Sequence, residues 1–175
     1  MDDYHVGVAT DDLDLVAWLF ASPALRLGVV GRAAARSASE AVAAVGLKPR
    51  SLYVLALLHD HGPMSQQALG DELAVDPSVL VVLLNQLEAE GLASRQRDIS
   101  DRRRHIVAIT DRGFERLGEG QRAVADAEDK LLVNLDLDQR EQLAQLLVHI
   151  QPAAEEERGA GAVDRLCETE PADSC

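Results

Sequence analysis

Cysteine, aromatic residues, lysine and long apolar runs are all scarce in this sequence. The two cysteines, Cys167 and Cys175, lie close to the C-terminus and do not support a disulfide framework. Aromatic residues make up 3% of the chain, so alanine, leucine and valine must build the core, and the first two favour helices. No apolar run approaches the about 20 residues of a membrane-spanning helix, and the acidic N-terminus is unlike a secretory signal. We expect a cytoplasmic protein that is not bound to a membrane.

Acidic residues are in excess, but they are unevenly distributed. The formal net charge is −13, yet residues 1–14 carry five acidic residues and no basic ones, and residues 151–175 carry seven against two. The remaining 15–150 segment holds 18 acidic and 15 basic residues, and five arginines fall within 95–104. DNA responds to the local field rather than to the total charge. A nucleic-acid partner therefore remains compatible with the composition.

Helix caps, glycine stops and apolar periodicity predict a mostly α chain with one small β-hairpin. Ser65 and Asp76 are expected to cap two helices that a short turn separates, which is helix-turn-helix spacing. The β-branched segment IVAI and the polar turn DISD indicate the hairpin. In chain order we predict helices over 11–21, 23–45, 50–61, 66–74 and 77–90, strands over 92–97 and 103–109, and helices over 111–134 and 138–150.

The segment LEAEGLASRQRDISDRRRHIVAITDRG, residues 87–113, resembles the MarR family of bacterial transcription regulators. The family pattern has a Leu-Glu-x-x-Gly-Leu helix end, a basic wing with Asp-x-Arg near its tip, an apolar strand that ends in Thr, and a later Gly. The resemblance covers roughly residues 23–150, and the ordered set of motifs carries it. It implies a winged helix-turn-helix fold, mostly α with a β-hairpin wing.

The resemblance also implies a homodimer that binds a palindromic operator in double-stranded DNA, with the terminal helices of the two subunits interlocked. The terminal helices here carry more apolar surface than one small domain covers, which independently favours an interface. The expected organisation is an N-terminal extension over 1–22, a dimerisation helix over 23–48, a winged helix-turn-helix over 49–112, dimerisation helices over 113–150 and an acidic disordered tail over 151–175.

The wing is the first predicted DNA contact. A hairpin tip fits the minor groove, where the negative potential attracts arginine. By the resemblance, Arg103 inserts there and Asp101 holds it by a charge-assisted pair. Arg102 and Arg104 flank the tip, while Arg95 and Arg97 on the partner strand lie near phosphates. The alternative for this cluster is a solvated charged turn.

The second helix of the helix-turn-helix is the predicted recognition helix. Its leucines should face the core, which turns six residues outward: Ser78, Val79, Val81, Val82, Asn85 and Gln86. The three valines depart from the family, where Thr, Thr and Arg are usual. Valine cannot hydrogen-bond base edges but can contact thymine methyl groups. We therefore expect Ser78, Asn85 and Gln86 to hydrogen-bond base edges, and the wing to supply much of the affinity for DNA.

The start of the preceding helix is a further candidate. Ser65, Gln66 and Gln67 stand where free backbone N–H groups can bind a phosphate, although Ser65 can equally serve as a simple cap. Arg50 is a weaker phosphate candidate.

The remaining histidines and aromatic residues are weaker candidates for a functional site. His59 and His61 lack the further ligands that a metal site needs, and no catalytic motif is present; we expect neither metal, cofactor nor enzymatic activity. Trp18 and Phe20 can line a pocket for an aromatic effector, but packing at a dimer interface is the simpler interpretation.

These observations predict a sequence-specific transcriptional regulator, a repressor that a small-molecule effector relieves. The alternative is a winged-helix protein that acts through protein contacts and has weak or no specific DNA binding, as the valine-rich helix and the acidic ends suggest.

Overall fold

The structure is a computed structural model that describes residues 21–97 and 105–150. The chain divides into two compact units, Met1–Ala33 and Ala34–Cys175. The described part of the first unit is helical and solvent-exposed, and its large apolar side chains are at least 38% exposed. These side chains are Leu25, Leu27, Val29 and Val30.

The described residues form six helices and three strands, and the predicted mostly helical fold with a small hairpin is confirmed. The helices are α1 (Pro23–Ala44), α2 (Pro49–His61), α3 (Gln66–Leu73), α4 (Pro77–Ala89), α5 (Asp111–Leu131) and α6 (Leu137–Ile150). The strands are β1 (Met64–Ser65), β2 (Ala93–Arg97) and β3 (His105–Ile109).

The sheet is antiparallel in the order β1-β3-β2. Arg97 pairs with His105 at the end of the hairpin where residues 98–104 connect the two strands, and Ala93 pairs with Ile109 at the opposite end. Strand β1 was not predicted, because two residues give no alternation to detect. Its pairing of Met64 with Val107 attaches the start of α3 to the hairpin.

Leucine side chains from α2, α3 and α4 converge on the sheet to form the core of the second unit. The apolar positions that are 2% exposed or less come from all five helices α1 to α5, from β3 and from the residue that precedes β2. They are Val42, Val54, Leu55, Leu58, Leu69, Leu73, Leu84, Leu87, Leu92, Val107 and Leu117. Burial of a leucine contributes about 1.5–3 kcal/mol, so this cluster fixes the helix-turn-helix against the hairpin.

Two glycines in α5 stand at points of close approach. A Cβ on Gly113 would overlap the carbonyl oxygen of Leu92, and a Cβ on Gly120 would overlap the side chain of Leu52. Glycine lowers helix propensity, and here it permits α5 to pack against the end of α4 and against α2.

Among the described residues, no single helix is long and apolar enough to cross a membrane. Helices α1 and α2 satisfy the length and composition criteria only as a pair that is bent by 82°.

Candidate nucleic-acid interface

Two capped helices and a left-handed residue build the helix-turn-helix. Ser65 Oγ accepts from the backbone N–H of Ala68 at 3.1 Å and caps α3. Ala74 ends α3 with φ of 44°, which turns the chain sharply. Asp76 then caps α4 by accepting from the N–H and the hydroxyl of Ser78 at 2.8 and 2.6 Å. These hydrogen bonds lower the pKa of Asp76, because they stabilise its charged form.

Helix α4 has one buried and one exposed face, as its periodicity predicts. Leu80, Leu83, Leu84 and Leu87 are at most 8% exposed. The opposite face presents the predicted residues Ser78, Val79, Val81, Val82 and Asn85 to solvent, while Gln86 is half-buried. Val82 is 68% exposed. An apolar side chain this exposed on a short capped helix is available to contact another molecule.

Asn85 and Gln86, which are predicted to hydrogen-bond bases, turn opposite ends of their side-chain amides toward their protein partners. Asn85 Oδ1 accepts from a guanidinium nitrogen of Arg95 at 2.7 Å. Gln86 Nε2 donates to Glu90 Oε1 at 2.9 Å. A guanidinium only donates and a carboxylate only accepts, so these partners fix which amide atom faces them. Asn85 therefore directs its NH2 group away from Arg95, and Gln86 directs its oxygen away from Glu90.

Arg95 lies against α4 and not out along the strand. Its guanidinium bonds Asn85, pairs with Glu88 Oε2 at 3.0 Å and donates to the Val81 carbonyl at 3.3 Å. Its backbone N–H donates to Glu88 Oε1 at 2.9 Å, and the side chain is 19% exposed. Arg95 thus joins β2 to the recognition helix. Glu88 was not singled out from the sequence, although it stands in the Leu-Glu-x-x-Gly-Leu pattern.

The remaining predicted wing residues divide into one that the structure describes and four that it does not. Arg97 is exposed at the C-terminal end of β2, opposite His105. Asp101, Arg102, Arg103 and Arg104 lie outside the described residues, as do Trp18 and Phe20.

The start of α3 adjoins the exposed face of α4. Gln67 is exposed and Gln66 is half-buried. Both line a cleft of about 410 Å³ to which Val81 also contributes. The structure therefore brings the predicted α3 residues beside the predicted recognition face. Arg50 is half-buried in the first turn of α2.

The four motif residues at the ends of α4 and β3 meet in one junction. Gly91, with φ of 70°, ends α4, and the N–H of Leu92 donates to Leu87 O at 2.8 Å. Thr110 Oγ1 donates toward the carbonyls of Gly91 and Leu92, at 2.7 and 3.1 Å. The same oxygen accepts from the N–H of Gly113 at 3.0 Å and caps α5. These motif residues therefore join elements of the fold.

An apolar cavity of about 540 Å³ lies within the second unit, between α1, α2 and α5. Its polar groups are few, and its lining includes no lysine, arginine or histidine. The lining residues are Ala38, Ser39, Val42, Pro49, Leu52, Tyr53, Ala56, Leu117, Gln121, Val124, Ala125 and Glu128.

The two histidines of α2, His59 and His61, are both exposed. His59 packs its ring on Phe114 at a centroid distance of 5.2 Å. Over residues 21–97 and 105–150, no three His, Cys, Asp or Glu side chains converge as a metal site.

Comparison with known proteins finds similarity to a family of transcription regulators. A sequence model of the MarR family matches residues 45–104. The chain is 28% identical over 109 residues to the uncharacterized HTH-type transcriptional regulator YdgJ of Bacillus subtilis, which is 62% of this chain and 66% of YdgJ. It is 32% identical over 82 residues to the HTH-type transcriptional repressor MdtR of the same organism, 45% of this chain and 53% of MdtR. The chain thus spans less than two thirds of either relative.

Solved structures show the same fold. The apo form of MarR from Escherichia coli superposes with a TM-score of 0.66 at 22% identity, over 75% of this chain and 97% of that one. A mutant of that protein complexed with operator DNA superposes with a TM-score of 0.60 at 23% identity, over 77% and 98%. The winged-helix architecture inferred from the motifs is therefore confirmed.

Proposed function

We propose, on the premise that the winged-helix part of this chain belongs to the MarR family, that the protein is a dimeric DNA-binding transcriptional repressor. The observation that carries this proposal is the exposed face of α4. The leucines buried on the other face of the helix fix its orientation, so that this face is turned toward solvent. A similarly folded protein has been crystallised with operator DNA, and the relative MdtR is a repressor. No feature of the described residues favours an enzymatic function.

Recognition combines two kinds of contact with the major groove. Val79, Val81 and Val82 contact thymine methyl groups, and Ser78, Asn85 and Gln86 supply hydrogen bonds. Gln67 and the N-terminus of α3 approach a phosphate. The adjacency of Gln66, Gln67 and Val81 around one cleft supports a single continuous contact surface.

The wing supplies the electrostatic part of the affinity. Arg103, held by Asp101, enters the minor groove, while Arg97, Arg102 and Arg104 contact phosphates. The exposure of Arg97 at the end of β2 supports this arrangement. Arg95 is the exception, because its guanidinium is occupied by α4.

The direct test measures binding of the full chain to DNA from beside its own gene, against random DNA of equal length, over a range of salt concentrations. We expect a specific complex whose log K falls steeply with log salt, because each phosphate contact releases counterions. Arg103→Ala should weaken specific binding by about 1–3 kcal/mol. Unchanged affinity of this variant contradicts the role of the wing.

Dimerisation is proposed to use the terminal helices. Leu146, Leu147 and Ile150 of α6 are 40–60% exposed, and no residue of α6 is buried within the chain. Exposed apolar surface of this kind is typical of an interface. A dimer places two recognition helices on the two halves of a palindrome.

Relief of repression is proposed to use the 540 Å³ cavity, whose size suits a small molecule. A ligand that favours one spacing of the two winged domains shifts the population away from the DNA-bound form. The test is titration of the repressor–DNA complex with apolar compounds, with Ala56→Trp as the variant that fills the cavity. Release that persists in this variant contradicts the assignment.

One observation favours a second function. Three exposed valines form a face that also suits contact with another protein. In that case the DNA titration described above detects no specific complex at any salt concentration.

A further inference from the structure

The geometry points to Arg95 as a positioning residue that sets the hydrogen-bonding polarity of Asn85, and to Asn85 as a specificity-determining donor. This inference rests on the proposed DNA-binding function. It concerns which bases the recognition helix accepts, and it assigns Arg95 a role other than phosphate binding.

The chemistry of the guanidinium determines which atom of Asn85 faces Arg95. The guanidinium offers only donors, so the Asn85 atom 2.7 Å away must be the amide oxygen. The two amide branches diverge from one trigonal carbon. The NH2 group of Asn85 therefore points away from the guanidinium, on a residue that is exposed to solvent.

Several contacts hold the Arg95 guanidinium in place beside Asn85. Arg95 is held at the same time by Glu88 at 3.0 Å and by the Val81 carbonyl at 3.3 Å, with its side chain only 19% exposed. Asn85 lies one helical turn from Val81 and shares the exposed face of α4 with it. An amide held in this way does not exchange its two ends freely.

The orientation of the Asn85 amide limits the base edges that it can recognise. A free asparagine reads adenine by donating to N7 and accepting from N6. With its oxygen engaged by Arg95, Asn85 acts chiefly as a donor. In the major groove guanine presents two acceptors, N7 and O6, and thymine presents the acceptor O4, whereas cytosine presents a donor and adenine presents an N6 donor beside its N7 acceptor. We therefore expect guanine or thymine opposite Asn85 in each half-site.

The test selects binding sites from a randomised double-stranded DNA pool with the full chain and with Asn85→Asp. The substituted carboxylate keeps the partner of Arg95 but offers an acceptor to the DNA. One position of each half-site should change from guanine or thymine to cytosine or adenine, with the base ratio altered at least about fivefold.

Gln67→Glu is the matched control, because it makes the same isosteric change and adds the same charge on α3. It should weaken binding to every sequence without altering the selected consensus. If Asn85→Asp selects the same consensus as the parent chain, the inference is wrong although the proposed function stands. If the parent chain selects no sequence above random, the proposed function fails, and the base reading with it.

The role of Arg95 is tested by a pair of variants in the same selection. Arg95→Met removes the donor that fixes the amide, so the preference at that one position should fall at least about fivefold. Arg95→Lys retains a donor and should restore it. A uniform loss of affinity in both variants, with unchanged base preference, overturns the positioning role, and circular dichroism verifies that both variants are folded.

Discussion

Helices α4 and α6 are alike in local construction and differ in what covers their apolar faces. Asp76 caps α4 through Ser78, and Asp136 caps α6 by accepting from the N–H of Gln139 at 2.9 Å, while Gln139 Oε1 accepts from the N–H of Asp136. Both helices carry leucines at helical spacing. The four leucines at the inner face of α4 are at most 8% exposed, whereas α6 buries no residue.

The difference separates what a helix needs to form from what it needs to be stable. Capping and periodicity are local properties, and both helices have them. Most helical stability in proteins comes from the packing of an apolar face. The described residues give α6 no such cover, and in the proposed dimer the second subunit is expected to supply it.

The largest expected effect is a loss of stability when the buried leucine face of α4 is altered. Leu84→Ala should lower the free energy of unfolding by about 2–5 kcal/mol, because it leaves a cavity in the core. Denaturant unfolding of the full chain measures it. The comparison variant is Leu146→Ala in α6, at a position that is 60% exposed. The loss of unfolding free energy caused by Leu146→Ala should become smaller as the protein is diluted, whereas the loss caused by Leu84→Ala should not change. The same concentration dependence in both variants contradicts the contrast between the helices.

The next effect is on assembly. Leu147→Glu introduces a charge into the uncovered face of α6 and should weaken dimerisation at least tenfold, which corresponds to about 1.4 kcal/mol. Sedimentation equilibrium measures the change. The control is Val82→Glu, which charges the exposed face of α4. It should leave the dimer intact and abolish specific DNA binding, so dissociation by both variants argues against separate roles for the two faces.

A smaller, favourable effect is expected on the exposed face of α4. Val82 is 68% exposed, at a position where the resemblance leads us to expect arginine. Val82→Arg should add one phosphate contact and steepen the dependence of log K on log salt by about 1. The same substitution should hardly alter stability. An unchanged salt dependence would mean that this face does not approach the DNA backbone.

The smallest effect concerns the cap of α4. The pKa of Asp76 is lowered in the folded chain, so its contribution is present above the unfolded pKa of about 3.9 and is lost as the pH falls through the folded value. Asp76→Asn caps without titrating. The denaturation midpoint of the parent chain should therefore fall relative to this variant between pH 6 and pH 3. Parallel pH profiles contradict the assignment.

Local signals allowed most of the fold to be predicted. The caps at Ser65 and Asp76 stand where the sequence indicated, and α4 and α5 begin at the expected residues, Pro77 and Asp111. Helix α5 ends at Leu131, three residues before its expected end. Strand β1 could not be predicted, because its pairing is tertiary and involves two residues.

The candidate site was less accessible to sequence reasoning. Helical spacing identified the exposed residues of α4, since one periodic pattern fixes both faces. Arg95 was expected near phosphates because surface arginines flank the wing. Its position depends on contacts with Asn85 and Glu88, ten and seven residues away in the chain, which only packing of β2 on α4 brings together.

The junction around Thr110 has a mechanical consequence. One hydroxyl links the last turn of α4 to the first turn of α5, and Gly113 lets the two backbones touch. Helix α5 has 21 residues, about 30 Å at 1.5 Å per residue, and it reaches the cavity through Leu117 and Glu128. It therefore runs as one continuous element from the cavity to the junction with α4. We expect a ligand that displaces α5 at the cavity to shift α4 through the hydroxyl of Thr110, and a substitution that removes this hydroxyl to uncouple the two helices.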